Sequence, residues 1–128
     1  MTDSVRVMNP FKDCDELWLG LDEEGLRRKV FQVVTPETVG ASKMRAGLTV
    51  FEPGKRCAPH NHPDSEEINI VIRGEGIAYD KTAGTETRFK ENDWMFIRQG
   101  NVHVHYNDGD EPLWLIWCYA PMGELPTR

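Results

Sequence analysis

His60-Asn-His-Pro-Asp-Ser-Glu-Glu-Ile-Asn-Ile-Val-Ile-Arg-Gly-Glu-Gly76 sets two histidines one residue apart, follows them with acidic residues, and ends in an apolar run closed by glycines. The chain has four histidines in 128 residues, and the other two, His103 and His105, repeat the one-residue gap in Asn-Val-His-Val-His-Tyr-Asn. Residues two apart on a strand share one face. His60 therefore goes with His62 and His103 with His105, while Glu67 and Asn69 face away from Ile68, Ile70 and Ile72. Glu67 suits a shared site better than Glu66, because a turn at 63–65 brings its strand back beside the histidine pair.

Other short apolar or β-branched runs surround this stretch: RRKVFQVV, MRAGLTVFEPG, GIAYD, ETRF, DWMFI and PLWLIWCYAPMG. Eight or nine strands with such turn residues between them predict an all-β antiparallel sandwich or barrel rather than βαβ units. One short N-terminal helix is expected near Lys12 to Leu19. The apolar alternate face of β-runs such as LWLIWCY predicts burial on both sides, one inside the barrel and the other against a second copy, hence a homodimer.

The bulk numbers bound the function. A length of 128 residues fits one domain, 1–128, able to bury a core without metal or disulfide staples. A net charge of -6 argues against nucleic acid and acidic membranes as partners. The one basic run, Arg27-Arg28-Lys29, reads as a solvated strand or turn edge. No apolar segment of signal-peptide or membrane-spanning length is present, so the expected location is the cytoplasm. Cys14, Cys57 and Cys118 form neither a disulfide framework nor a CxxC zinc pair and are read as reduced thiols in packing roles. Cys57, three residues before His60, is placed to approach the site.

Paired imidazoles with a carboxylate suit borderline divalent ions. The spacing Gly54, five residues, His60, one residue, His62, four residues, Glu67, six residues, Gly74 resembles the first motif of the cupin superfamily at every position. The second motif is looser: Asn92, Arg98, Gly100, His103 and Asn107 stand where the family has Gly, Pro, Gly, His and Asn. Asn92 tolerates positive φ, whereas Arg98 puts a cation near the mouth of the site. Strand pattern and motifs together carry the resemblance over roughly residues 46–120. It implies a double-stranded β-helix, or jelly-roll barrel, with His60, His62, Glu67 and His103 around one divalent metal ion: Fe, Mn, Ni, Co, Cu or Zn. His105 is then a hydrogen-bonding group, a proton carrier or core.

Further candidates have weaker grounds. Tyr79 and Tyr119 are acid–base candidates, and Arg98, Asn69 and Trp117 are substrate-contact candidates; Cys57 and Arg45 are also near enough in register to consider. Trp117 and Tyr119 share a parity that points inward, with Trp114 on the other face. A metal with open positions can bind an oxyacid, polarise a carbonyl or activate oxygen. The expected function is a metal-dependent enzyme on a small oxygen-rich metabolite (carboxylate, hydroxy acid or dicarbonyl), a dioxygenase being favoured over a lyase, decarboxylase or isomerase. A non-catalytic module that binds or senses a small ligand is the alternative.

Overall fold

The computed structural model describes residues 4–123, so the two ends of the expected 1–128 domain lie outside the described residues. Among the described residues, nine strands form two antiparallel sheets. They are β1 (Glu16–Leu19), β2 (Arg28–Val34), β3 (Arg45–Phe51), β4 (Glu66–Arg73), β5 (Glu75–Asp80), β6 (Thr85–Lys90), β7 (Trp94–Ile97), β8 (His103–Tyr106) and β9 (Leu113–Ala120). The larger sheet runs β1-β2-β3-β9-β4-β7 and the smaller β6-β5-β8. This is the all-β jelly-roll that the sequence predicts.

The N-terminal helix is shorter than expected. α1 spans only Pro10–Asp13, started by Asn9, whose side chain accepts a hydrogen bond from the Phe11 amide, and by Pro10 at the first helical position. The residues expected to continue it form β1 instead, with Leu17 opposite Val30 and Leu19 opposite Arg28. A free edge of β2 offers this segment a ladder of hydrogen bonds that outweighs its helical spacing. Two other turns escaped the sequence reading: a 3₁₀ turn at Glu24–Leu26, and α2 at Pro36–Val39, where Thr35 and Thr38 cap each other reciprocally.

Strand period sorts the side chains. Phe51, Cys57, Val71, Phe89, Val104, Leu113 and Leu115 form the principal core, and each large apolar member contributes about 1.5–3 kcal/mol by leaving water. On the inner face of the larger sheet, Ile97, Glu67, Tyr119 and Arg45 make one cross-strand row. Met95, Asn69, Trp117 and Gly47 make the next. Gly47 is required there: a Cβ would run into the Trp117 indole and the Phe31 carbonyl. Asn92 takes φ 76° in the turn before β7, the conformation its place in the second motif demands.

The outer face is treated unevenly. Phe11 of α1 covers its β2 and β9 side, with ring centroids 5.0 Å from Phe31 and 4.9 Å from Trp114. Across β4 and β7, Ile68, Ile72, Trp94 and Phe96 remain exposed, Trp94 at 69%.

Candidate functional site

The bridge between His60 and His103 builds the site. These residues exchange backbone hydrogen bonds in both directions, at 3.3 and 3.0 Å, on the edge of β8 opposite its partner β5. Their ring centroids stand 4.3 Å apart, and His62 lies 5.5 Å from His60. The chain then turns, with Ser65 N donating to His62 O, and β4 returns with Glu67 inward and Glu66 exposed. Glu67 Oε1 comes within 3.5 Å of His62 Nε2 and 3.6 Å of His103 Nε2.

Hydrogen bonds orient the donors. His60 Nδ1 lies 3.0 Å from the Ala58 carbonyl, and His103 Nδ1 lies 3.0 Å from that of Asn101. A carbonyl only accepts, so each Nδ1 carries the proton and each neutral ring keeps a lone pair on Nε2. Asn69 Nδ2 donates to Glu67 Oε2 at 3.0 Å, steering Oε1 toward the imidazoles.

Glu67 Oε1 and His103 Nε2 are buried with no hydrogen-bond partner. Two orphaned polar atoms facing each other are costly in a packed interior, and a bound cation satisfies both. Among the described residues, no three His, Cys, Asp or Glu side chains are already drawn to ion-holding distances. The donor chemistry and the orphaned atoms nevertheless fit a divalent ion, with His60, His62, Glu67 and His103 as the residues that would hold it.

Burial dominates the protonation of the group. It pushes His60 down to about 3, with His103 adding to the effect, and His62 down to about 4. His103 is also lowered and His105 lies well below the ordinary imidazole range, both chiefly by burial. Loss of solvation pushes Glu67 up to about 7, against the opposing hydrogen bond from Asn69. The imidazoles are therefore neutral, as ligands must be, across the physiological range.

A small cavity of about 50 Å³ lies beside these residues. Its apolar wall comprises Leu19, Val30, Phe51, Leu115, Trp117 and Tyr119. Tyr119 stacks on His62 at 4.2 Å and on Trp117 at 5.5 Å, so the three rings form a layered side. Asn69 lines the same cavity, with its amide nitrogen engaged by Glu67. His105 is buried, packs edge-on to Phe89, and borders this cavity as well as a second, larger one of about 350 Å³. Cys57 accepts a hydrogen bond from the His105 amide at 3.2 Å and faces the first cavity.

Tyr79 and Arg98 line the second cavity, on the His103 side of the candidate ligands, together with Asp80 and Asn101. Tyr79 is half-buried with the Lys81 ammonium 5.4 Å from its ring, and Arg98 is exposed. Arg45 donates to Gln32 and to the Gly123 carbonyl, away from the four candidate ligands. The sequence reading missed Arg28. The Arg27-Arg28-Lys29 run is not uniformly a solvated edge: Arg28 is 4% exposed and lines the first cavity. Its signal was parity with Val30, both on the inward face of β2.

Comparison with known proteins agrees with this architecture. Residues 47–119 match the family described as Cupin domain. The chain belongs to the cupin family. Among curated relatives, it is 30% identical over 95 residues to "Polyketide synthase CurC" of Streptomyces cyaneus, covering 74% of this chain and 60% of that protein. It is 27% identical over 94 residues to "Tetracenomycin polyketide synthase protein TcmJ" of Streptomyces glaucescens, covering 73% and 62%. The chain thus spans about 60% of the length of these two relatives. Among solved structures, a predicted oxalate decarboxylase from Thermotoga maritima shares the cupin fold, with TM-score 0.76 and 17% identity over 91% of this chain and 99% of that one. A cupin-like protein from the same organism has TM-score 0.65 and 32% identity, covering 73% and 68%.

Proposed function

We propose that this cupin is a single-barrel, metal-dependent enzyme acting on a small oxygen-rich metabolite, with an oxygenase reaction as the version to test first. The observation that carries this reading is the pair of orphaned atoms, Glu67 Oε1 and His103 Nε2, beside an apolar-walled cavity. His60, His62, Glu67 and His103 would hold one divalent ion of the Fe, Mn, Ni, Co, Cu or Zn series. When bound, such an ion polarises a ligated oxygen and, as Fe(II), supports oxygen chemistry.

The chain's own residues supply the rest. Asn69 fixes Glu67, while Trp117 and Tyr119 give a flat wall against which a planar substrate packs and from which water is excluded. His105, buried and neutral next to His103, is the side chain that would hydrogen-bond a bound hydroxyl. The names of the two Streptomyces relatives, both polyketide synthase proteins, support a small oxygen-rich compound as substrate. The exposed Ile68, Ile72, Trp94 and Phe96 support a homodimer through the β4–β7 face. The free thiols Cys14, Cys57 and Cys118 accord with a reducing, cytoplasmic location. Among the described residues, no helix is long and apolar enough to cross a membrane.

Elemental analysis of untagged protein tests the ion: close to one metal per chain is expected, lost in His60→Ala with the fold retained by circular dichroism. Oxygen uptake by the Fe(II)-loaded protein against small acids, dicarbonyls and catechols tests the reaction. Turnover without oxygen assigns a lyase, decarboxylase or isomerase instead. Tight binding of a metabolite recovered unchanged would favour the ligand-binding alternative.

A further inference from the structure

We infer that the second cavity lodges the body of the molecule this cupin takes up, a compact hydroxylated compound that is apolar along one side and presents a hydroxyl to His105. The inference deepens the proposed function and rests on its reading of the barrel as a small-molecule site. Size separates the two cavities. The first, at about 50 Å³, admits the edge of a ring against Trp117 and Tyr119 but not a whole metabolite. The second, at about 350 Å³, has the size of a small-molecule site. Its position follows from strand pairing. β6 pairs with β5 and β7 with β4, and neither pairs with the other, so the barrel wall is open between them. At the opposite edge of the smaller sheet the wall is closed, because bridges from Arg56 to Tyr106 and from His60 to His103 tie β8 to the chain at 56–60. A molecule therefore enters across the β6–β7 seam and meets the candidate ion ligands from the His103 side.

The lining says what fits. Ala78, Met95 and Ile97, all half-buried, form its apolar side. Thr87 and His105 both pair with Ala78 and so flank it in one cross-strand row. Arg98 and Asp80 carry opposite charges, and the Asp80 carboxylate already accepts from the Ala83 amide and the Asn101 side chain, each at 2.8 Å. With no net charge in the lining, hydroxyl groups suit the cavity better than carboxylates. His105 sets the requirement at its inner end. It is 4% exposed, and among the described residues its hydrogen bonds run through the backbone alone, to Cys57 Sγ and from the Cys57 amide, both at 3.2 Å. Its ring lies edge-on to Phe89 and 5.4 Å from that of His103. A neutral imidazole has one donor and one acceptor, and leaving them unpaired in a buried position is costly. A hydroxyl both donates and accepts, so it satisfies either ring nitrogen. Among the described residues, His105 alone lines both cavities.

The test uses catechol as the probe and ortho-difluorobenzene as its analogue of similar size without a donor. Nuclear Overhauser contacts between catechol and the methyl-labelled, Zn(II)-loaded protein locate the ring. Contacts are expected to the methyls of Ala78, Thr87, Met95 and Ile97 in the second cavity, and none to those of Val30, Thr49 and Leu115 in the first. Contacts to the latter set instead, or no saturable binding of catechol, would overturn the inference. Chelator-treated wild type should bind catechol roughly 10-fold more tightly than the difluoro analogue, the gain of about one buried hydrogen bond, and His105→Phe should bring the two within about threefold. A preference that appears only with zinc, or that survives His105→Phe, refutes the role of His105. Ala78→Phe fills the cavity and should weaken catechol about 10-fold or more with metal content unaltered; unchanged affinity refutes the location. If either variant fails to fold, nitrogen NMR of the wild type decides: a His105 ring nitrogen must shift with catechol and not with the difluoro analogue, and no such shift sinks the assignment. Metal content is scored separately. Catechol seated in the second cavity of a chain without metal keeps this inference and loses the metal reading; a metal-bearing chain with catechol in the first cavity does the reverse.

Discussion

Glu67→Gln should stabilise the metal-free protein, an outcome opposite to that of most substitutions at a buried, hydrogen-bonded position. The carboxyl is pushed from 4.5 up to about 7 by lost solvation. Its raised folded value means that the folded state holds the proton more tightly than the unfolded chain. Stability is therefore fully present below about pH 4.5 and is lost as pH rises through about 7. At about 1.4 kcal/mol per pH unit, ionising Glu67 costs the fold about 3 kcal/mol by pH 8. Glutamine removes that cost while keeping the shape and an acceptor for Asn69, and its amide can donate to the orphaned His103 Nε2. Urea denaturation of chelator-treated protein should show little difference between variant and wild type at pH 4.5. By pH 8 the variant should lead by up to about 3 kcal/mol, roughly 10 °C in thermal melts. Added Zn(II) should raise the melting point of the wild type and not that of the variant. A variant less stable than wild type at pH 8 would show that Glu67 is already satisfied in the fold, and the argument from its orphaned oxygen would fail.

Three other outcomes can be checked in the same way. Gly47→Ala places a methyl against the Trp117 indole and the Phe31 carbonyl, and should cost about 1–3 kcal/mol in urea denaturation together with a change in tryptophan fluorescence. Acid should unfold the metal-free chain steeply: His60 and His62 fall from 6.5 to about 3 and about 4, so their contribution is present above pH 6.5 and lost as pH falls. His60 and His62 against the one opposing carboxyl leave a loss of about 1.4 kcal/mol per pH unit between 6.5 and 4.5, to which the lowered His103 and His105 add, readable as a shift of the urea midpoint. Trp94→Glu with Phe96→Lys should convert a dimer into a monomer in analytical ultracentrifugation without changing metal content; an unaltered mass would place the contact elsewhere.

Much of the site was legible because strand period is a strong constraint. Two histidine pairs, each at a spacing of two, and Glu67 just past the turn that follows the first pair leave few ways of facing inward together, and glycine turns at Gly54 and Gly74 bound the first pair and Glu67. Gly74 is a turn of this kind in the fold, with φ 86° and no room for a Cβ beside Pro112. Arg28 was hidden because charge composition outweighed parity: Arg27 and Lys29 on either side made the run look solvated, and only the pairing of β1 with β2 buries the residue between them. The length of α1 was misjudged for a related reason. Asn9 and Pro10 signal where a helix starts, but its end depends on whether a distant strand offers Glu16–Leu19 an edge to join. The division of Tyr79 and Arg98 from Tyr119 and Trp117 between two cavities is likewise set by how the sheets curve, which local spacing does not encode.

β4 carries two sets of side chains with unrelated duties. Glu67 and Asn69 look into the barrel, while Ile68, opposite Cys118 on β9 and Phe96 on β7, looks out. A one-residue insertion or deletion ahead of this strand would exchange the two sets, turning the carboxylate to solvent and an isoleucine toward the histidines. Length changes just before β4 should therefore be selected against far more strongly than similar changes in the Lys81–Gly84 hairpin. Drift in this chain should then be confined to substitution along β4 and free to add or remove residues at that distant tip.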